Sequence, residues 1–157
     1  MQPEGWLARC MGMDGNAEVY SKYRGELLRY ATGLVGTGRA EDVVSTVVVR
    51  AIRRRSLADL DNPRAYLLKA VLNEARGLAR SQGTFPLPDT PVSDPPIELL
   101  DVIAAVWRLP IRQRAAVFLF YWEGHPVAEI AELMGVRPGT VKRYLHLARE
   151  RLKGSLQ

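Results

Sequence analysis

Arg137, Lys142, Arg143 and His146 place positive charge and hydrogen-bonding groups close together near the C-terminus, a set suited to reading nucleic acid. The arginine fork matches the two major-groove acceptors of guanine, which makes Arg143 the first candidate for a base contact. Lys142 and Arg137 suit phosphates, and His146 suits either role. Arg149, followed by Arg151 and Lys153, would add sequence-independent attraction. Groups for other chemistry are scarce. The chain has two histidines, His125 and His146, and one cysteine, Cys10. They give no metal-ligand spacing, and no activated nucleophile stands beside a base. No cofactor, no metal and no catalysis are expected.

These residues need a frame, and the stretch PVAEIAELMGVRPGTVKRYLHLARERLK, from Pro126 to Lys153, supplies one. Val127, Ile130, Ala131 and Met134 recur at helical spacing. Gly135 follows where a helix is expected to stop. Pro138 suits the first turn of a second helix, since its missing N–H would go unpaired there. In that helix Val141, Leu145, Ala148 and Leu152 form one stripe. Gly139, Arg143 and His146 point the other way, flanked by Lys142. Two short helices packed across a glycine turn, the second basic on its outer side, predict a helix-turn-helix. A solvated basic surface helix is the plainer alternative. The apolar spacing across the turn favours the DNA-binding reading.

The chain has 157 residues and a formal charge of +5, with a sequence pI near 9.7. Residues 1–82 carry 13 basic and 9 acidic side chains, 83–97 two acids and no base, and 98–157 nine and six. Two basic ends around a non-basic middle suggest a polyanion partner at each end. A single cysteine fits a reducing, cytoplasmic setting. The longest apolar run, Ala115 to Trp122, falls far short of the ~20 residues a membrane-spanning helix needs. There is no charged-then-apolar leader, so membrane insertion is not expected.

Read in order, residues 1–15 are expected to be loosely ordered. A first helix is predicted from Asn16, read as its N-cap, carrying Val19, Tyr23, Leu27, Tyr30, Ala31 and Leu34 inward. A second runs from about Arg39 to Arg55, with Val43, Val44, Val47, Val48, Ala51 and Ile52 as its apolar face. The Val47–Val49 run is poor in helix propensity, which leaves a strand open there. Asn62-Pro63 starts a third helix that reaches about Arg80. Gly83 to Pro96 holds five of the ten prolines in 14 residues and is predicted to be an extended spacer that lets the two basic ends move. Helices follow at Ile97–Arg108 and from Pro110 to about Glu123. The aromatic run Phe118, Phe120, Tyr121, Trp122 is expected in the core.

The fold class is therefore all-α: two small helical domains, 16–82 and 97–157, joined by the proline-rich linker 83–96. The chain resembles bacterial sigma factors of the extracytoplasmic-function (ECF) group of the sigma-70 family. Leu109-Pro110, Gln113-Arg114, Glu123-Gly124, Glu129-Ile130-Ala131 and Gly139-Thr140-Val141-Lys142 match the family's C-terminal pattern one by one. Ala40 to Arg54 resembles its polymerase-docking helix, and Asn62 to Arg80 its promoter-melting helix. Asp42, Arg50, Pro63, Tyr66, Leu67, Asn73 and Arg80 hold family positions. Ser45-Thr46, Gly77 and Pro126 depart from the pattern.

The resemblance implies that the N-terminal unit docks on the clamp helices of the largest subunit of RNA polymerase, through Asp42 and Arg50. It implies that the same unit grips the minus-ten element as a single strand, and that the C-terminal unit binds the minus-thirty-five element as duplex. Arg53, Arg54, Arg64, Arg76 and Arg80, with Tyr66 and Asn73, are then the candidates for the melted strand, since a basic surface with a stacking ring can capture it. Gly139 and Thr140 join Arg137, Lys142, Arg143, His146 and Arg149 at the duplex. An anti-sigma partner is a further implication. The alternative function is a stand-alone helix-turn-helix regulator that needs no polymerase; such proteins bind paired half-sites as dimers.

Overall fold

The computed structural model describes residues 13–82 and 97–156, among which all regular structure is helical. The expected spacer 83–96 and nearly all of the expected loose N-terminus lie outside the described residues. Helices α1 (Met13–Val35), α2 (Thr37–Arg54) and α3 (Pro63–Gln82) form the first half, with a 3-10 turn at Leu57–Asp59. The second half holds α4 (Ile97–Trp107), α5 (Ile111–Val117), a π-helical turn (Phe118–Trp122), α6 (Val127–Met134) and α7 (Pro138–Ser155).

The first helix departs from expectation at its start. Asn16 lies inside α1, and is almost fully buried. Its Oδ1 accepts the backbone N–H of Leu57 at 2.7 Å. The side chain caps the 3-10 turn, not its own helix, because a buried amide must find a partner and Leu57 supplies one. Gly36 breaks the chain between α1 and α2 at φ +88°. That backbone angle costs glycine nothing and would strain any side chain. The valine run is helical: Val47 and Val48 are buried in α2, so packing outweighs propensity. Ile52 was expected on the inner face but is 37% exposed, as the apolar face of α2 ends at Ala51.

Asn62 does cap α3, its Oδ1 accepting the N–H of Ala65 at 3.0 Å. Leu67, Leu68, Val71, Leu72 and Ala75 then bury the inner side of the helix. Gly135 ends α6 in the left-handed region, at φ +68°, and Pro138 opens α7. Val141, Leu145 and Ala148 are its buried stripe.

The aromatic run is only half in the core. Leu119 is buried and Phe118 and Phe120 are partly so, while Tyr121 and Trp122 stand 55% and 72% exposed. The π turn explains this. Glu123 N–H donates to Phe118 C=O at 3.0 Å, five residues back. The extra residue rotates the last two rings out of the inward stripe.

The halves lie against one another, with α5 and the π turn on α1 and α6 on α3. Buried side chains run without a break from α1–α3 into α5–α7.

Candidate nucleic-acid interface

Helix α7 is built to display one side. Arg137 precedes it in extended conformation and its carbonyl accepts from Thr140 and Val141 N–H. Opposite the buried stripe, Gly139, Lys142, Arg143 and His146 are all exposed, and Thr140 is half-buried. Lys142, Arg143 and His146 have no hydrogen-bond partner among the described residues. The set expected at the duplex is thus brought onto one solvent-facing strip, with one qualification. Arg149 Nε donates to the Tyr121 hydroxyl at 2.7 Å, and its guanidinium lies 5.7 Å from that ring. It ties α7 to the π turn as well as carrying charge. If Arg143 reads a base, Arg143→Ala should cost about 1–3 kcal/mol of discrimination between a cognate and a mismatched duplex. Competition titrations read this directly; an equal loss on random duplex points to a phosphate contact.

The residues expected to take a melted strand divide into groups. Arg54, Tyr66 and Asn73 line one cleft of about 390 Å³ between α2 and α3, together with Arg50, Lys69 and Glu74. Tyr66 packs against the core on one side and borders this cleft on the other. Arg53 is exposed in the last turn of α2, outside the cleft. Arg76 and Arg80 sit toward the far end of α3. Burial and the neighbouring Arg112 and Arg80 depress the pKa of Arg76, so cations from both halves gather there.

Arg64 stands apart, because it is already occupied. Its Nε and Nη2 fork onto Glu26 of α1, with contacts of 2.7–2.9 Å. Its Nη1 donates to Glu129 of α6 at 2.7 Å. His125 Nε2 lies 3.3 Å from Nη2 and His125 Nδ1 lies 3.2 Å from Glu129. The Glu26 hydrogen bonds raise the Arg64 pKa above the ordinary arginine value. The Arg64 hydrogen bond holds Glu129 below the usual carboxylate range, so both are ionised at neutral pH.

Asp42 and Arg50, expected at the polymerase, are both exposed on α2. Asp42 lines a second cleft, of about 310 Å³, with Thr46 and Leu78. Arg50 Nη1 pairs with Glu74 at 2.6 Å. Glu74 borders both clefts and went unnoticed in the sequence, as did Glu26 and the Glu129–His125 pair. Only Glu129 had a signal, as part of the Glu-Ile-Ala motif.

Two family models match the chain: sigma-70 region 2 over residues 19–84 and sigma-70 region 4 over residues 99–152. The chain belongs to the sigma-70 family. It is similar to the ECF RNA polymerase sigma factor SigL of Mycobacterium tuberculosis, at 32% identity over 154 residues, covering 88% of this chain and 87% of that one. It is also similar to the RNA polymerase sigma-E factor of Streptomyces antibioticus, at 31% identity over 150 residues, with 89% and 83% covered. In fold it is similar to RpoE of Bartonella quintana, solved with the anti-sigma factor NepR. The TM-score there is 0.66 at 24% identity, covering 89% of this chain and 95% of that one. CnrH, solved with the cytosolic domain of CnrY, gives a TM-score of 0.63 at 22% identity, covering 90% and 86%. This sigma factor directs promoter recognition and transcription initiation by RNA polymerase, with region 4 carrying the helix-turn-helix. The stand-alone regulator reading is not favoured, since region 2 precedes region 4 in the same chain. Sigma factors are regulatory, not catalytic, proteins. Among the described residues no helix is long and apolar enough to cross a membrane.

Proposed function

We propose that the two surfaces divide the work of promoter recognition. The α7 strip of Arg137, Gly139, Thr140, Lys142, Arg143 and His146 takes the minus-thirty-five duplex, with Arg149 as an outlying cation. The α2–α3 cleft takes the melted minus-ten strand, with Tyr66 as stacking ring and Arg54, Asn73 and the nearby Arg53, Arg76 and Arg80 along the backbone. The observation that carries this is the cationic strip on α7, whose Lys142, Arg143 and His146 have no hydrogen-bond partner among the described residues, directly opposite its buried stripe. Opening DNA costs a few kcal/mol per unstacked base. A stacking ring returns about 1–3 kcal/mol per captured base.

Region 2 is assigned to residues 16–82, region 4 to 97–157 and the strap between them to 83–96. Docking on the clamp helices of core polymerase is assigned to Asp42 and Arg50. An anti-sigma factor is a fitting partner, given the NepR bound to RpoE of Bartonella quintana. The protein works in the cytoplasm without catalysis of its own.

Run-off transcription from a library of random promoters, with core polymerase and this chain alone, tests the reading and reports the preferred sequence. Transcripts that depend on both components are expected; none at all sinks it. Arg50→Ala should weaken core binding while leaving duplex binding intact. Losing the exposed Glu74 pair costs the fold no more than about 1 kcal/mol. Unchanged affinity for core polymerase removes Arg50 from the docking surface.

A further inference from the structure

The π turn puts Tyr121 outside the core, and what it meets there is Arg149 of α7. Arg149 Nε donates to the Tyr121 hydroxyl at 2.7 Å. The guanidinium lies 5.7 Å from the Tyr121 ring centroid and 6.0 Å from that of Phe120. The two rings meet edge to face, with centroids 4.9 Å apart and planes at 78°. Phe120 packs against the core, so the corner is anchored to the fold. A long surface arginine is thereby held in one place by a hydrogen bond and two ring faces.

The hydrogen-bonding groups of this corner are lopsided. The Tyr121 oxygen accepts from Arg149, which leaves its own proton to donate elsewhere. Only Nε of Arg149 is engaged, and both Nη groups are without a hydrogen bond among the described residues. The carboxylates nearest in sequence are turned to other cations. Glu150 pairs with Lys153 at 3.5 Å, and Glu123 with Arg29 at 3.1 Å. A phenol and a guanidinium side by side, with donors alone to offer, suit an anionic oxygen acceptor.

The position on α7 says which acceptor. Arg149 is seven residues beyond Lys142. That is two turns on and nearly in line, about 10 Å further along the axis. Lys142 belongs to the exposed strip opposite the buried stripe. A duplex seated on Lys142, Arg143 and His146 continues past the helix, and the phosphates that border the groove come within reach of its edge.

We infer that Tyr121 and Arg149 form one phosphate-binding site at the edge of the recognition helix: the phenol fixes the guanidinium, and both donate to a single backbone phosphate of the duplex. This site deepens the duplex reading of α7 and rests on it. Immobilising a rotamer-rich side chain on binding costs affinity, and Tyr121 has ordered Arg149 beforehand.

Salt titrations of duplex binding by the full chain test the site. Arg149→Ala should make the plot of log affinity against log salt shallower by about 0.9, the share of one phosphate. At about 0.1 M salt its Kd should rise on the order of tenfold. Tyr121→Phe keeps the ring and removes an exposed hydroxyl, so the fold is spared. Its Kd should rise on the order of fivefold with the salt slope unchanged, because the charge remains. Both losses should be equal on cognate and random duplex, since a phosphate carries no sequence. In the double variant Tyr121→Phe should add no more than about twofold, because the two residues act as a unit. An unchanged Kd in Tyr121→Phe, an unmoved slope in Arg149→Ala, losses that multiply in the double variant, or a loss confined to cognate duplex each overturns the site. Had the pair served only to brace α7 on the π turn, both variants would lower Tm and leave the slope alone. Failure of the wild type to bind any duplex would instead sink the reading of α7 itself, and shows before any variant is compared.

Discussion

Arg114→Ala is expected to destabilise the fold by about 2–4 kcal/mol, one of the two largest single-residue losses anticipated here. Arg114 is 5% exposed. It donates to the Trp107 carbonyl at 2.6 Å and the Leu34 carbonyl at 2.9 Å, and its guanidinium lies 4.2 Å from the Trp107 ring. Those acceptors are the last turns of α4 and α1, where carbonyls have no partner within the helix. Two charge-assisted hydrogen bonds contribute about 1.5–3 kcal/mol each. Against them stands desolvation: burial pulls the Arg114 pKa down to about 10. That drop is worth on the order of 3 kcal/mol and leaves the group charged at neutral pH. The hydrogen bonds and the stacked stem exceed the penalty, but not by their full sum.

Arg114→Met discriminates between these contributions. It keeps most of the packing, removes the buried charge and abandons the two carbonyls. A loss of about 1–2 kcal/mol is expected, clearly less than for alanine. Denaturant unfolding of both variants reads the difference. Equal losses would mean that hydrogen bonds, not packing, dominate. A loss below about 0.5 kcal/mol in both would mean that desolvation cancels everything Arg114 gains.

Arg114 also shows how far the sequence could be read. Gln113-Arg114 was visible as a family pair, but nothing in a helical wheel says that an arginine will be buried under a tryptophan. Periodicity reports which side of a helix is apolar, and so α1, α2, α3, α6 and α7 were legible to within a few residues. It does not report what a polar side chain meets across space. Asn16 looked like a helix cap and serves the distant Leu57 instead. Arg64 was a candidate for the melted strand, and no helical wheel shows the carboxylates 38 and 65 residues away that hold it. Tyr121 and Trp122 looked like core because their types are apolar, but a π turn shifts the register by one residue. The recognition strip was legible for the opposite reason. Its geometry is local to one helix, so spacing alone fixes it. The contacts across the seam depend on how two halves dock, which no single-helix pattern encodes.

Ile130→Ala should bring the second large loss, about 2–5 kcal/mol, and its functional consequence should be lopsided. Ile130 is wholly buried on α6, the helix that packs on both α7 and α3. Removing its branched chain loses transfer free energy and leaves a cavity that a short helix cannot collapse to fill. With a total stability of about 5–15 kcal/mol, such a change is large. For a chain of this size it should lower Tm by roughly 2–4 °C per kcal/mol. The stability of helix α7 depends on α6, because Gly135 and Val136 form the turn that sets their crossing. Duplex affinity should therefore fall with stability. The α2–α3 cleft shares no residue with α6, so single-strand binding at a temperature where the fold persists should be retained or increased. Increase is the outcome if α6 also screens α3. Parallel loss of duplex and single-strand binding below the transition would mean that the two halves unfold as one unit and that α6 supports both equally.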